Sequence, residues 1–288
     1  MIVKTTELTS EQLAECNQLI KKIQQHDRTF KSPYLSNQFN FFAEMLTLFL
    51  NYENNQLTGI LSIYADGNTE STAEMAVFVD EKFRRQGIAT RLIQAATSEL
   101  EKFGYHDLEF WTEQQFLTDN PDFLKNCSLV ADPETEIQLT TKKNQKWIFS
   151  EREEFQFRNL QASDIEALTQ LQVRAFPETS SETAHQYLLK GLADEKQENF
   201  ILKKNDQIIG TCAADQDDYD YIFGLFIAEN WQNQGLGTYL LEKTCQNLTR
   251  ENKRIIKIGV ESNNLQALHL YQKVGFIIET EVIYLSKK

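Results

Sequence analysis

Apolar residues recur at helical spacing in two places about half a chain apart. Leu13, Cys16, Leu19, Ile20 and Ile23 predict an amphipathic helix from Ser10 to about Gln25, and Ile165, Leu168, Leu171 and Val173 predict another, capped by Ser163. An extended piece precedes each, "MIVKTTEL" in the first half and the alternating "FQFRNL" (Phe155 to Leu160) in the second. A hairpin follows each, "LFLNYENNQLTGILSIY" (Leu48 to Tyr64) and "NFILKKNDQIIGTCAA" (Asn199 to Ala214), both turning on an Asn/Asp pair. Next come an apolar strand ("AEMAVFVD", "YIFGLFIA"), a glycine-bearing turn and a helix, then a strand ("HDLEFWTE", "RIIKIGVE"), a short helix and a closing strand pair.

Gly59 and Gly210 are 151 residues apart, and Gly87 and Gly235 are 148 apart. Matched landmarks at an offset near 150 mark an internal duplication. The charged stretch "SEREEF" around Ser150 to Glu154 is the expected boundary, giving domains of residues 1–150 and 151–288. Strands and helices in this order predict an α/β fold, in which each domain is a mixed sheet flanked by helices. With 288 residues, 41% hydrophobic and 25% charged, each domain can bury a core of its own.

Charge narrows the partners. A net charge of −13 disfavours nucleic acid and anionic membranes and favours cationic small molecules or basic peptides, although acidic balance is also a common device for solubility. Cys16, Cys127, Cys212 and Cys245 are scattered, with no C-x-x-C pair and no histidine at ligand spacing, so no metal is expected. The start "MIVKTTELTSEQLAEC" lacks the signal-peptide pattern, and the apolar "NFFAEMLTLFL" is interrupted by Glu44 and too short to span a bilayer. A cytoplasmic protein is expected, and the pattern specifies no oligomeric state.

The chemistry concentrates in the second half. "QNQGLG" (Gln232 to Gly237) follows an apolar strand and opens a helix, where backbone N–H groups and the helix dipole favour an anion. Downstream, "NNLQALHLYQKVGF" contains Asn264, Ala267, Leu270, Tyr271, Lys273, Gly275 and Phe276. On its own Tyr271 reads as a packing aromatic on an amphipathic helix. Together, L225-x-I227, Q232-x-x-G235-x-G237 and N264-x-x-A267-x-x-L270-Y271-x-K273-x-G275-F276 closely resemble the GNAT superfamily of acyl-CoA-dependent N-acetyltransferases. Glu229 stands where that signature often has proline.

The resemblance implies acetyl-CoA as co-substrate and a primary amine of a small molecule or peptide as acceptor. Gln232, Asn233, Gln234, Gly235, Leu236 and Gly237 would wrap the pyrophosphate, with Thr238 beginning the supporting helix. Leu225, Phe226 and Ile227 would pair with the pantetheine arm and aim a backbone N–H at the thioester carbonyl. Asn264 would bind the arm, Ala267 would keep its helix close, and Tyr271 would be the general acid to the CoA thiolate. Glu261 and Asp220 are the candidate bases, and the run "DQDDYD" (Asp215 to Asp220) offers attraction for a cationic amine.

In the first half "RRQGIA" resembles the same turn, so Val77, Val79, Arg84, Arg85, Gly87 and Ala89 are candidates for a second cofactor site, in a domain that is otherwise structural or shapes the acceptor cleft. Its closing motif aligns Leu124 with Tyr271 and Ser128 with Gly275, which reads as a degenerate copy that has lost its acid. The alternative to a tandem enzyme with a catalytic C-terminal domain is a non-catalytic protein that binds or senses acetyl-CoA.

Overall fold

The computed structural model describes residues 1–288 apart from Glu178, Asp217, Asn252, Lys253 and Lys288. Strand β1 (Ile2–Thr5) leads into helix α1 (Ser10–Asp27), whose start is fixed by a reciprocal pair of bonds. The Gln12 N–H donates to the Thr9 hydroxyl oxygen at 3.2 Å, and the Thr9 N–H donates to the Gln12 side chain at 3.0 Å. Cys16, Leu19, Ile20 and Ile23 are its buried face, as their spacing predicts. Strands β2 (Leu48–Glu53) and β3 (Gln56–Tyr64) meet at Asn54 and Asn55, whose φ of 50° and 63° match the two-residue turn that suits strand twist. The chain continues through β4 (Ala73–Val79), α2 (Ile88–Lys102), β5 (Leu108–Glu113), α3 (Gln114–Asp119), α4 (Phe123–Cys127) and β6 (Leu129–Thr140).

The second half repeats this order as β7 (Gln156–Asn159), α5 (Ile165–Ala175), α6 (Ser181–Ala193), β8 (Gln197–Lys204), β9 (Gln207–Gln216), β10 (Asp220–Ile227), α7 (Leu236–Glu251), β11 (Ile256–Glu261), α8 (Leu265–Val274) and β12 (Ile277–Lys287). Three details differ from the sequence pattern. Asp164, not Ser163, sits at the start of α5, where its carboxylate accepts the Gln161 N–H at 3.0 Å and both forks of Arg158 at 2.7 and 2.8 Å. Those bonds to Arg158 hold the carboxyl below its ordinary range, and it makes no side-chain cap bond to α5 itself. Helix α6 has no counterpart among the elements read from the sequence, and each half closes with one long strand rather than a pair.

The chain divides into two compact units, Met1–Glu136 with Thr280–Lys288, and Ile137–Glu279. This differs from a single cut near residue 150, because the charged stretch around Ser150 to Glu154 packs within the second unit. Glu151 there accepts the Lys243 ammonium at 3.0 Å, and the Phe149 and Tyr239 rings meet edge to face at 5.9 Å. In the first unit the strand order is β1, β2, β3, β4, β5, and Val282–Leu285 of β12 pair antiparallel with Phe110–Glu113 of β5. In the second unit it is β11, β10, β9, β8, β7. Each sheet is mixed, with β4–β5 and β10–β11 parallel and the hairpin strands antiparallel. Among the described residues no helix is long and apolar enough to cross a membrane.

Candidate active site

In the second unit the parallel ladder between β10 and β11 covers only Asp220–Ile222 against Ile256–Ile258. Past Ile222 no ladder joins them, leaving a splay that opens toward the strand ends. On its other edge β10 slips register against β9, with Phe223 opposite Ala213 and Phe226 opposite Thr211. The extra residue is a β-bulge at Gly224 and Leu225, where Gly224 takes φ +60° and the backbone leaves the ladder beside the splay. Leu225 and Phe226 are half-buried and Ile227 is buried.

The glycine turn from Gln232 to Gly237 begins after this strand. Gln232 donates its side-chain amide to the Ile227 carbonyl at 2.9 Å, pinning the turn to β10. Asn233 and Gly235 take φ 60° and 73°, and a Cβ on Gly235 would meet nothing within 4 Å, so the turn is open where N–H groups of Gly235, Leu236 and Thr238 begin α7. Gly237 has another role. A Cβ there would lie 2.9 Å from Leu270 Cδ1 and 3.9 Å from Ile227 Cγ1, so this glycine lets α7, β10 and α8 close on one another.

That close contact carries Tyr271, the neighbour of Leu270, into the core of the second unit. Tyr271 is 7% exposed, and among the described residues its hydroxyl has no hydrogen-bond partner. Burial, with a smaller contribution from Cys212, pushes its pKa up to about 12. Asn264 begins α8 by accepting the Ala267 N–H on its side-chain oxygen at 3.1 Å, and its amide donors have no partner among the described residues. Ala267 packs half-buried against the same core.

The two carboxylates stand in different settings. Asp220 is fully buried at the first residue of β10, 3.1 Å from Arg254 Nε, and burial raises its pKa despite that cation. Seven residues of strand, about 23 Å, separate it from Ile227 at the turn. Glu261 is exposed at the end of β11, on the splayed side. Of the run "DQDDYD", Asp217 lies outside the described residues. Among those residues no cluster of three or more His, Cys, Asp or Glu side chains is arranged to hold a metal.

The first unit repeats the splay, since the β4–β5 ladder covers only Ala73–Met75 against Leu108–Phe110. Here β4 keeps unbroken register with β3 from Tyr64↔Glu74 to Gly59↔Val79, so there is no bulge. Arg84 donates its Nε to the Val79 carbonyl at 2.9 Å, the bond that Gln232 makes in the second unit. Its terminal nitrogens form a two-pronged ion pair with Asp27 at 2.9 and 2.5 Å. Arg85 and Gly87 take φ 62° and 75°, matching Asn233 and Gly235.

Between the splayed ends lies a cavity of about 430 Å³. Val77, Val79, Arg84, Arg85, Gly87 and Ala89 all line it, with Phe116 and Phe123 meeting edge to face at 5.0 Å on one wall. Leu124 packs against the core on α4, a helix of five residues where α8 has ten, and Ser128 takes the left-handed φ of 54° that Gly275 takes at 108°. Near the end of β5, Glu113 is 1% exposed and accepts the backbone N–H groups of Phe30 and Lys31 at 2.7 and 2.9 Å.

The model of the acetyltransferase (GNAT) family matches residues 13–126 and again 165–276. The chain belongs to this GNAT family. Its fold is similar to a GCN5-related N-acetyltransferase from Sphaerobacter thermophilus, with TM-score 0.73, 15% identity, and 99% of this chain and 94% of that one covered. A tandem GNAT protein from the clavulanic acid biosynthesis pathway matches with TM-score 0.72 and 12% identity over 99% and 98% of the two chains. A GNAT-family acetyltransferase from Colwellia psychrerythraea matches over the whole of both chains, with TM-score 0.61 and 15% identity. Two GNAT repeats in one chain are thus established, and with them an acyltransferase fold.

Within these GNAT repeats, sequence reasoning missed the bulge and the ion pair. Gly224, one residue before Leu225, was the available signal for the bulge, because an isolated glycine in a strand often marks one. Asp27 carried no signal, being 57 residues from Arg84.

Proposed function

We propose that the protein transfers an acetyl group from acetyl-CoA to a primary amine of a small molecule or peptide, and that the second GNAT repeat does the chemistry. The observation that carries this reading is the conjunction in one repeat of a bulged, splayed β10 and a buried Tyr271 whose hydroxyl has no partner among the described residues. The residues fit the co-substrate: the turn is open at Gly235, the bulge frees backbone at Gly224 and Leu225, and Asn264 keeps its amide donors. Acetyl-CoA supplies an activated thioester, whose acyl carbon gains a bond to the amine nitrogen as the bond to sulfur breaks.

Leu225 to Ile227 present backbone where the carbonyl oxygen gains charge. Tyr271 holds its proton at Oη and donates it toward the leaving sulfur. With a pKa of about 12 against about 8.5 for an ordinary thiol, complete transfer would run uphill by about 5 kcal/mol in isolation, so the hydrogen bond to developing charge is the larger contribution. Of the two carboxylates, Glu261 is the one open to solvent at the splay and takes the base role in this reading, while Asp220 is committed to Arg254.

In the first repeat, the cavity and the open turn at Gly87 support acetyl-CoA binding without turnover, because neither a bulge nor a tyrosine accompanies them. The acidic balance of the chain favours a cationic acceptor.

Tyr271→Phe tests the assignment. Thiol release with an amine present is expected to fall at least tenfold while acetyl-CoA affinity changes less than twofold. Undiminished turnover would remove Tyr271 from this role, and binding with no turnover against a broad amine panel would favour a sensor instead.

A further inference from the structure

The phosphate turns of the two repeats differ in charge. In the first, Lys82, Arg84 and Arg85 lie within the segment from Asp80 to Thr90, whereas from Ala228 to Thr238 the only charged residue is Glu229. Resting on the acetyl-CoA reading, the second turn must receive a polyanion with no cation of its own.

One is supplied from elsewhere in the same unit. The segment from Gln145 to Phe155 runs along α7 and α8: Gln145 Nε2 donates to the Val274 carbonyl at 3.3 Å, the Trp147 and Phe276 rings lie 6.2 Å apart, and Glu151 accepts the Tyr239 hydroxyl at 3.2 Å. Held by this strap, Arg152 donates Nη1 to the carbonyl of Gln234, inside the turn, at 3.1 Å. Its guanidinium also lies 4.6 Å from the Phe155 ring centre and 5.9 Å from that of Tyr239. Among the described residues it is the one cation bonded to the backbone of that turn.

Among the described residues the other polar contacts of its guanidinium are both to Glu154 Oε1, from Nε and Nη2 at 3.3 Å, and Glu154 is half exposed. Of five guanidinium N–H groups, one on each terminal nitrogen is left for a ligand, the fork geometry that suits a phosphate.

We propose that Arg152 is the phosphate-binding cation of the second repeat, brought to an uncharged turn by the strap that precedes β7. The partner chemistry is a phosphate monoester or pyrophosphate of the CoA moiety. The first repeat thus carries cations within its turn segment, and the second takes one from a segment outside it.

Calorimetric titration of wild type and Arg152→Gln with CoA and with 3′-dephospho-CoA tests this. About tenfold weaker binding is expected in the variant, with a shallower dependence on salt. Loss toward both ligands assigns the pyrophosphate, and loss toward CoA alone assigns the 3′-phosphate. Arg152→Lys should recover part of the affinity, and Glu154→Gln, which releases the guanidinium, should tighten binding two- to threefold. Equal affinities in wild type and Arg152→Gln, with unchanged melting temperature, would overturn the role of Arg152. Failure of wild type to bind either ligand would instead overturn the acetyl-CoA reading on which it rests.

Discussion

Arg84 and Gln232 make the same bond to the end of the preceding strand, at 2.9 Å in both repeats, and the residues that follow share their left-handed φ values. The turns are backbone copies with different side chains. What the repeats do not share is the strand behind the turn, bulged in β10 and regular in β4, and the residue on the closing helix, Tyr271 against Leu124. A turn specified by a set of φ values survives extensive side-chain change. The acid role proposed for Tyr271 would not, because it rests on a single hydroxyl that Leu124 cannot supply.

The sharpest way to break this comparison is to damage the turns one at a time. Gly235→Glu puts a side chain at φ 73° and a negative charge in the cradle, and should lower acetyl transfer by more than about a hundredfold, about 2.7 kcal/mol. Gly87→Glu, the same change at φ 75°, should leave transfer within twofold and remove only acetyl-CoA bound by the first repeat, read as calorimetric stoichiometry. Loss of transfer in both variants would show that the repeats are not independent.

A pH profile sharpens the role of Tyr271. A phenol whose pKa is pushed up to about 12 stays protonated throughout the working range, so kcat/KM should rise from pH 7 to 10 as the acceptor amine loses its proton. A downturn near pH 10 that disappears in Tyr271→Phe would mean that the hydroxyl titrates at its ordinary value.

The smallest effect concerns the charge that the first repeat has turned inward. Asp27→Asn leaves Arg84 without its ionic partner and should cost about 2 kcal/mol, seen as a melting temperature about 4–8 °C lower, with transfer per folded molecule unchanged.

Features written in adjacent residues were legible before the structure: the helix over Ser10, the Asn-Asn hairpin and the glycine turns each require local φ values or spacing. The bulge was not, since it is a relation between β10 and β9 and depends on which residues face each other. Nor was the tie between Arg158 and Asp164 at the start of α5, a bond between side chains six residues apart. Glu113 is another case: it is buried because it accepts N–H groups 82 and 83 residues away. Of the candidate site, the turn and the tyrosine were visible as a motif, while the packing role of Gly237 against Leu270 and Ile227 was not.

Strand β12 sets an order of events during synthesis. Residues Val282 to Leu285 complete the sheet of the unit that begins at Met1, by pairing with Phe110 to Glu113. A nascent chain that has emerged as far as Glu136 therefore still lacks an edge of its first unit, and β5 waits with unpaired amides while the whole second repeat is translated. The second unit is built from contiguous residues, and the first is completed only when Thr280–Lys288 have been made.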